Sequence, residues 1–169
     1  MAREELKHFI DTWETEAQKT VRLLDTLPAN QYDLRPWKDG RSLGELAWHL
    51  CEVEAYLTHG IENGRMDLNL KPPGIERPRE VRALSPGYAR LHGDALRRVR
   101  NLKPEDLDRR IPSFDGNPAA ISDLLWTGML LHLIHHRGQL VTYTRIAGGT
   151  PPGLLGPNRE QTMAMMEKR

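Results

Sequence analysis

The chain has 169 residues, with 24 Lys+Arg against 23 Asp+Glu and a formal net charge of +1. That length suits one domain, spanning 1–169, with a core large enough to fold without staples. The charge balance excludes the concentrated basic patch of a nucleic-acid binder: Arg97, Arg98, Arg100, Lys103, Arg109 and Arg110 are interleaved with Glu105, Asp106 and Asp108, as on a solvated face.

A single cysteine, Cys51, excludes an internal disulfide framework and suits a reducing compartment. No apolar run approaches the ~20 residues of a membrane span. The start, Met1-Ala2-Arg3-Glu4-Glu5-Leu6, lacks the apolar stretch of a secretion signal. These features lead us to expect a cytoplasmic protein with neither nucleic acid nor membrane as partner.

A first helix is expected from about Glu4 to Leu27. Leu6, Ile10, Trp13, Ala17, Thr20, Leu24 and Leu27 alternate spacings of four and three, one face of a bundle helix, and Pro28 stops it. After a polar loop, Ser42-Leu43-Gly44-Glu45 forms a capping box that launches a second helix. Leu43, Leu46, Leu50, Val53 and Leu57 share a side of it, and it should end between Gly60 and Gly64. Residues 64–83, rich in Pro and Gly, are too long for a simple connection and predict a crossover between parallel helices. Ser85-Pro86 then signals a third helix carrying Tyr88, Leu91, Ala95, Val99 and Leu102, ending before Pro104. Asn117-Pro118 repeats the signal for a fourth, which runs to about Ala147 and is closed by Gly148-Gly149 and Pro151-Pro152. A weak strand hint lies around 110–114, and a short last helix follows Pro157. The pattern predicts an all-α four-helix bundle with a long crossover between helices two and three.

The fourth helix contains Leu130-Leu131-His132-Leu133-Ile134-His135-His136-Arg137-Gly138-Gln139-Leu140. His132 and His136, four apart, stack on one face, as helices offer two imidazoles to one metal ion. Such a pair also occurs as ordinary hydrogen-bonded histidines, but here it sits among leucines, where an unpartnered imidazole is costly. His135 points about 60° away. His49, on the flank of the apolar face of the second helix, is the candidate third ligand; three ligands leave an open position, as in catalytic rather than structural sites. Cys51 is about 160° from His49 around the helix and is read as a buried, inert thiol. His59 is too far along the axis, and His8 and His92 are expected at the surface. Trp13 and Trp48 are either pocket walls or plain core. Gly128, one turn before His132, either permits close helix packing or opens space beside the site.

The blocks Ser42-Leu43-Gly44-Glu45-Leu46-Ala47-Trp48-His49 and His132-x-x-His135-His136-Arg137-Gly138-Gln139-Leu140, with Tyr32-Asp33-x-Arg35-Pro36 upstream, resemble the DinB-like (damage-inducible, YfiT-related) superfamily. This family is distinct from the error-prone polymerase that shares the label. The resemblance implies an up-down-down-up bundle, usually a homodimer, with a three-histidine site for zinc or nickel. Carried over, its ligands are His49, His132 and His136. Relatives include bacillithiol-using transferases and mycothiol-dependent maleylpyruvate isomerase. The expected function is therefore metal-dependent transfer of a low-molecular-weight thiol to a small-molecule electrophile. Hydrolysis at the same metal, or a non-catalytic metal-binding stress protein, are the alternatives. Glu52 is a candidate general base or an orienting partner of His49, and Arg137 is a candidate holder of a substrate carboxylate.

Overall fold

The alternating apolar spacing of the first segment closes into α1 (Ala2–Leu24), and turns carry residues 25–27 to Pro28. The structure, a computed structural model, describes residues 2–168. The buried face of α1 is Leu6, Phe9, Trp13, Glu16, Ala17, Thr20, Leu23 and Leu24, rotated slightly from the expected stripe so that Phe9 and Leu23 replace Ile10.

The capping box forms as expected. Ser42 Oγ accepts from the Glu45 N–H, and Glu45 accepts from the Ser42 N–H. Arg35 grips Glu45 through both guanidinium nitrogens at 2.7 and 2.8 Å. That grip, with the Ser42 N–H, holds the Glu45 carboxyl down to about 2. From there α2 (Leu43–Asn63) is buried almost all round, and Gly64 ends it in the left-handed conformation (φ 74°). Gly44 is a steric requirement: a Cβ there would lie 2.3 Å from the Tyr32 ring.

The crossover is tied down rather than loose. Tyr32 donates to Pro78 O (2.6 Å), Trp48 Nε1 to Ile75 O (3.0 Å) and Arg90 to Gly74 O (2.8 Å). It delivers the chain to α3 (Leu84–Arg100), which begins earlier than Ser85-Pro86 suggests. A 3₁₀ turn, Val81–Ala83, buries Val81 and has already coiled the backbone; Pro86 falls in the first turn of the helix, where its missing N–H costs nothing. Contacts progress in the same sense along α2 and α3: Trp48 against Gly87, Glu54 with His92, Glu62 with Arg98.

Asn117-Pro118 is not a helix start. Pro118–Ala120 is strand β2, antiparallel to β1 (Arg110–Pro112), so the weak strand hint belongs to a small hairpin. The register pairs Ile111 with Ala119 and aims Ile111 into the core. Helix α4 follows without a break over 121–146: an α turn (Ile121–Asp123), π-helical turns (Leu124–Leu131), then a regular α segment (His132–Ile146). Contacts run in opposite senses along α2 and α4, with His49 near His136 and Leu57 near Gly128. They run in the same sense along α1 and α4, from Phe9 with Trp126 to Glu16 with Arg137. The last helix, α5 (Arg159–Glu167), is capped by Asn158 and pinned to α4 by the Arg145–Glu160 pair. The result is a helical bundle with a two-stranded hairpin. No helix among the described residues is long and apolar enough to cross a membrane.

One polar cluster crosses the core. Glu54, 1% exposed, accepts from Trp13 Nε1 (3.0 Å), Tyr88 OH (2.5 Å) and His92 Nδ1 (2.8 Å), joining α1, α2 and α3. Burial, then the Glu54 charge, push the Tyr88 phenol well above its usual range, so it stays a donor. His92 is therefore a network member rather than the surface residue its isolation suggests; sequence spacing cannot show a partner 38 residues away. His8 is exposed and lies against Trp126.

Candidate metal centre

Three imidazoles meet where α2 crosses α4. His49 comes from α2; His132 and His136 come from the α segment of α4, on one face because they are four apart. One ring nitrogen from each lies within 4.8 Å of the others. Ring centroids are 4.6 Å apart for His132–His136, 4.7 Å for His49–His136 and 5.6 Å for His49–His132.

The other nitrogen of each ring is already engaged. His49 Nδ1 faces Glu52 Oε2 at 3.1 Å, His132 Nδ1 faces the Gly128 carbonyl at 3.3 Å, and His136 Nδ1 faces Gln139 Oε1 at 2.7 Å. All three partners are acceptors, so each Nδ1 donates, and a ring that carries only that proton offers an Nε2 lone pair. His132 and His136 then bring those lone pairs to 2.7 Å of each other. Two acceptors at that distance repel unless a proton or cation sits with them. An imidazole triad with outer N–H groups anchored on oxygen is the donor set of a borderline divalent ion such as zinc or nickel, and the residues fit one.

Burial lowers the basicity of the pair on α4. It takes His136 down to about 4, with His49 and His132 adding to the effect and the Gln139 contact opposing it. His132 is lowered too, first by burial and then by His49. Unfolded histidine takes up a proton near pH 6.5. Between that value and 4 the unfolded chain binds more protons than the folded one, so acid favours unfolding. Chelator-treated protein should keep its full stability above pH 6.5 and lose it progressively toward pH 4. Melting temperatures across that range check this, and the slope should be shallower in His136→Asn.

The structure separates the other candidates. His135 is exposed and faces Gln139 Nε2 at 3.2 Å, outside the triad. His59 pairs with Glu62 and Asn63. Cys51 is 1% exposed, and burial pushes its thiol well above the usual range, so it is an inert core residue. Trp13 and Trp48 are core as well. Arg137 does not reach the site. It is 3% exposed and donates to both the backbone and the carboxylate of Glu16, so its work is to tie α4 to α1. A charged residue on the flank of an apolar helix gives no hint of which neighbour it will meet.

Beside the triad lies a cavity of about 600 Å³, lined by His49, Glu52 and His132 and otherwise mostly by apolar side chains, among them Tyr56, Leu68, Phe114 and Leu124. Gly128 forms part of its wall. A Cβ there would meet nothing nearer than 3.8 Å, so the glycine is not a point of tight helix packing. It belongs instead to the π-helical stretch, a geometry that recurs beside functional sites. Sequence spacing missed the π turns, and it missed Arg41, Tyr56, Leu68 and Phe114, which reach the cavity from separate elements and loops. Gln139 had a signal, since it sits three residues past His136 on the same face.

A family model described as the DinB family matches residues 1–168. The chain belongs to the DinB family. Among curated proteins, this DinB chain is 29% identical over 164 residues to the uncharacterized protein YrdA of Bacillus subtilis, covering 92% of this chain and 91% of that one. Among solved structures it is similar to a DinB-like protein from Bacillus cereus, with a TM-score of 0.73 and 25% identity over 87% of this chain and 95% of that one. A DinB-like protein of Bacillus subtilis, YjoA, shares the fold at a TM-score of 0.69, with 24% identity over 89% of this chain and 97% of that chain.

Proposed function

We propose that this DinB protein is a cytoplasmic, homodimeric, divalent-metal-dependent enzyme. It transfers a low-molecular-weight thiol to a small electrophile, with His49, His132 and His136 as metal ligands. The observation that carries the proposal is the convergence of one ring nitrogen from each of three histidines beside a cavity, with an oxygen at the Nδ1 of each ring. When bound, a divalent ion with a free position would make a thiol acidic enough to react as thiolate at neutral pH. The thiol proton goes to solvent, the sulfur lone pair forms the new C–S bond, and the leaving group departs with its electron pair. The protein's own part is to hold the imidazoles in place and to offer the electrophile a largely apolar wall beside them.

Glu52 favours transfer over hydrolysis. Its Oε2 is taken by His49 Nδ1, which suits an orienting partner better than a general base. The direct test is a transfer assay with zinc- or nickel-loaded protein, a panel of small thiols and a chromogenic aryl halide. Thioether formation that depends on the metal, and that disappears in His136→Ala, is the expected result. Turnover of ester or amide substrates without any thiol would favour hydrolysis. No turnover of either kind by fully loaded protein would favour a non-catalytic metal-binding role.

Gly128 provides a second check. Gly128→Ala should be accepted, because its Cβ meets only ordinary contacts, whereas Gly128→Leu extends a side chain into the cavity. The leucine variant should keep its metal and melting temperature within a few degrees while losing about tenfold or more in kcat/KM, a cost of about 1.4 kcal/mol in transition-state binding. An unchanged kcat/KM would remove Gly128 from the pocket's function.

A further inference from the structure

The cavity beside the histidines has a chemical asymmetry. Val53, Tyr56, Leu57, Leu68, Phe114 and Leu124 present apolar surface to it, and two of these, Leu68 (65% exposed) and Phe114 (48% exposed), are large apolar side chains left open to solvent at its edge. The one guanidinium in the lining is Arg41. Nearby arginines are committed: Arg35 and Arg77 to Glu45, Arg137 to Glu16. The Arg41 side chain makes no hydrogen bond or ion pair with any described residue, although it lies close enough for its charge to act on His132 and Tyr143. Glu52, the carboxylate in the same wall, is held by His49.

We infer that the pocket selects an organic anion with an apolar body, its oxyanion held by Arg41 and its hydrophobic part seated between Tyr56, Leu68 and Phe114. A guanidinium is matched in shape to carboxylate and sulfonate oxygens and binds them through paired N–H donors. Low-molecular-weight thiols are polar, so the apolar wall suits the other reactant. This makes the amphipathic anion the electrophile rather than the thiol, a step that rests on the transfer proposal. The occupancy of the pocket by such an anion does not depend on that proposal.

The test is calorimetric and needs no turnover. The probes are 4-chlorobenzenesulfonate, which is a poor metal ligand, and its neutral counterpart 4-chlorophenyl methyl sulfone. They are titrated into the full chain, zinc-loaded and chelator-treated, as wild type, Arg41→Gln and Arg41→Lys, with zinc content measured on each sample. Wild type should bind the sulfonate about tenfold more tightly than the sulfone, the scale of one charge-assisted contact. Arg41→Gln should erase that preference and leave sulfone affinity unchanged, and Arg41→Lys should keep part of it. A wild-type protein with no preference for the anion, a preference undiminished in Arg41→Gln, or no binding of either probe at millimolar concentration would overturn the inference. A histidine triad that takes up no zinc would sink the metal proposal while leaving the Arg41 preference measurable.

Discussion

Metal content should fall from about one divalent ion per chain to near zero when His49, His132 or His136 is replaced by alanine, and should stay near one in His135→Ala. The contrast comes from geometry. His49, His132 and His136 present one ring nitrogen each within 4.8 Å of one another, whereas His135 sits one residue off that face and turns to Gln139. Removing one of three imidazoles leaves two, too few to hold a divalent ion against a mild chelator. Replacing an anchor should do less: Glu52→Gln and Gln139→Ala should weaken affinity by about 10–100-fold without abolishing binding, the usual size of an outer-partner effect. Elemental analysis after dialysis against chelator separates these classes. Loss of metal in His135→Ala with retention in His132→Ala would reverse the ligand assignment.

The second large effect is on stability and lies away from the histidine triad. Glu54→Ala should lower the melting temperature by about 10 °C. Three donors from two helices, Trp13 Nε1 on α1 and Tyr88 OH and His92 Nδ1 on α3, lose their acceptor. Trp13 and Tyr88 are at most 1% exposed and cannot recruit water, while His92 has partial access. Each orphaned buried donor costs about 1–3 kcal/mol, and a domain of this size loses about 2–4 °C per kcal/mol. Glu54→Gln should cost much less. Its amide oxygen can keep Trp13 and Tyr88, and its NH₂ can donate to His92 if that ring moves its proton to Nε2. Neither variant should lose metal, because the network faces α1 and α3 and the histidine triad faces α4. Thermal melts with parallel metal analysis check both statements. Equal destabilisation by Ala and Gln would mean that the carboxylate charge, rather than a neutral acceptor in the same place, holds the network together.

The parts of this molecule that were legible in its sequence are those governed by local rules. The capping box at Ser42, the stop of α2 within Gly60–Gly64 and the 3–4 spacing of α1 and α3 rest on contacts within one or two turns; the capping box and the stop appear as expected, and the two helices form with a slightly rotated face on α1 and an earlier start to α3. The pairing of His132 with His136 is equally local. That His49 joins them follows only from the crossing of α2 with α4, which the flank position of His49 made reasonable and the family resemblance supported. What was hidden depends on distant partners. Asn117-Pro118 carries a good helix-start signal, yet its backbone is claimed by the strand pairing with Arg110–Pro112. Glu54, a charged residue on an apolar face, reads as an anomaly until three donors from other parts of the chain surround it. Arg137 follows His136 in sequence and points the other way in space, to Glu16. The π turns of α4 have no compositional signature beyond Gly128, because a widened helix is set by what it packs against.

The measurement closest to the central claim is X-ray absorption at the metal edge of zinc-loaded protein, recorded before and after addition of a small thiol. The expected spectrum has three imidazole nitrogens at about 2.0–2.1 Å with a light oxygen donor, and a new sulfur at about 2.3 Å once thiol is present. A sulfur in the shell before any thiol is added would implicate Cys51 and contradict the buried, inert thiol described above. A shell closed by four protein ligands that thiol leaves unchanged would contradict an open, reactive centre.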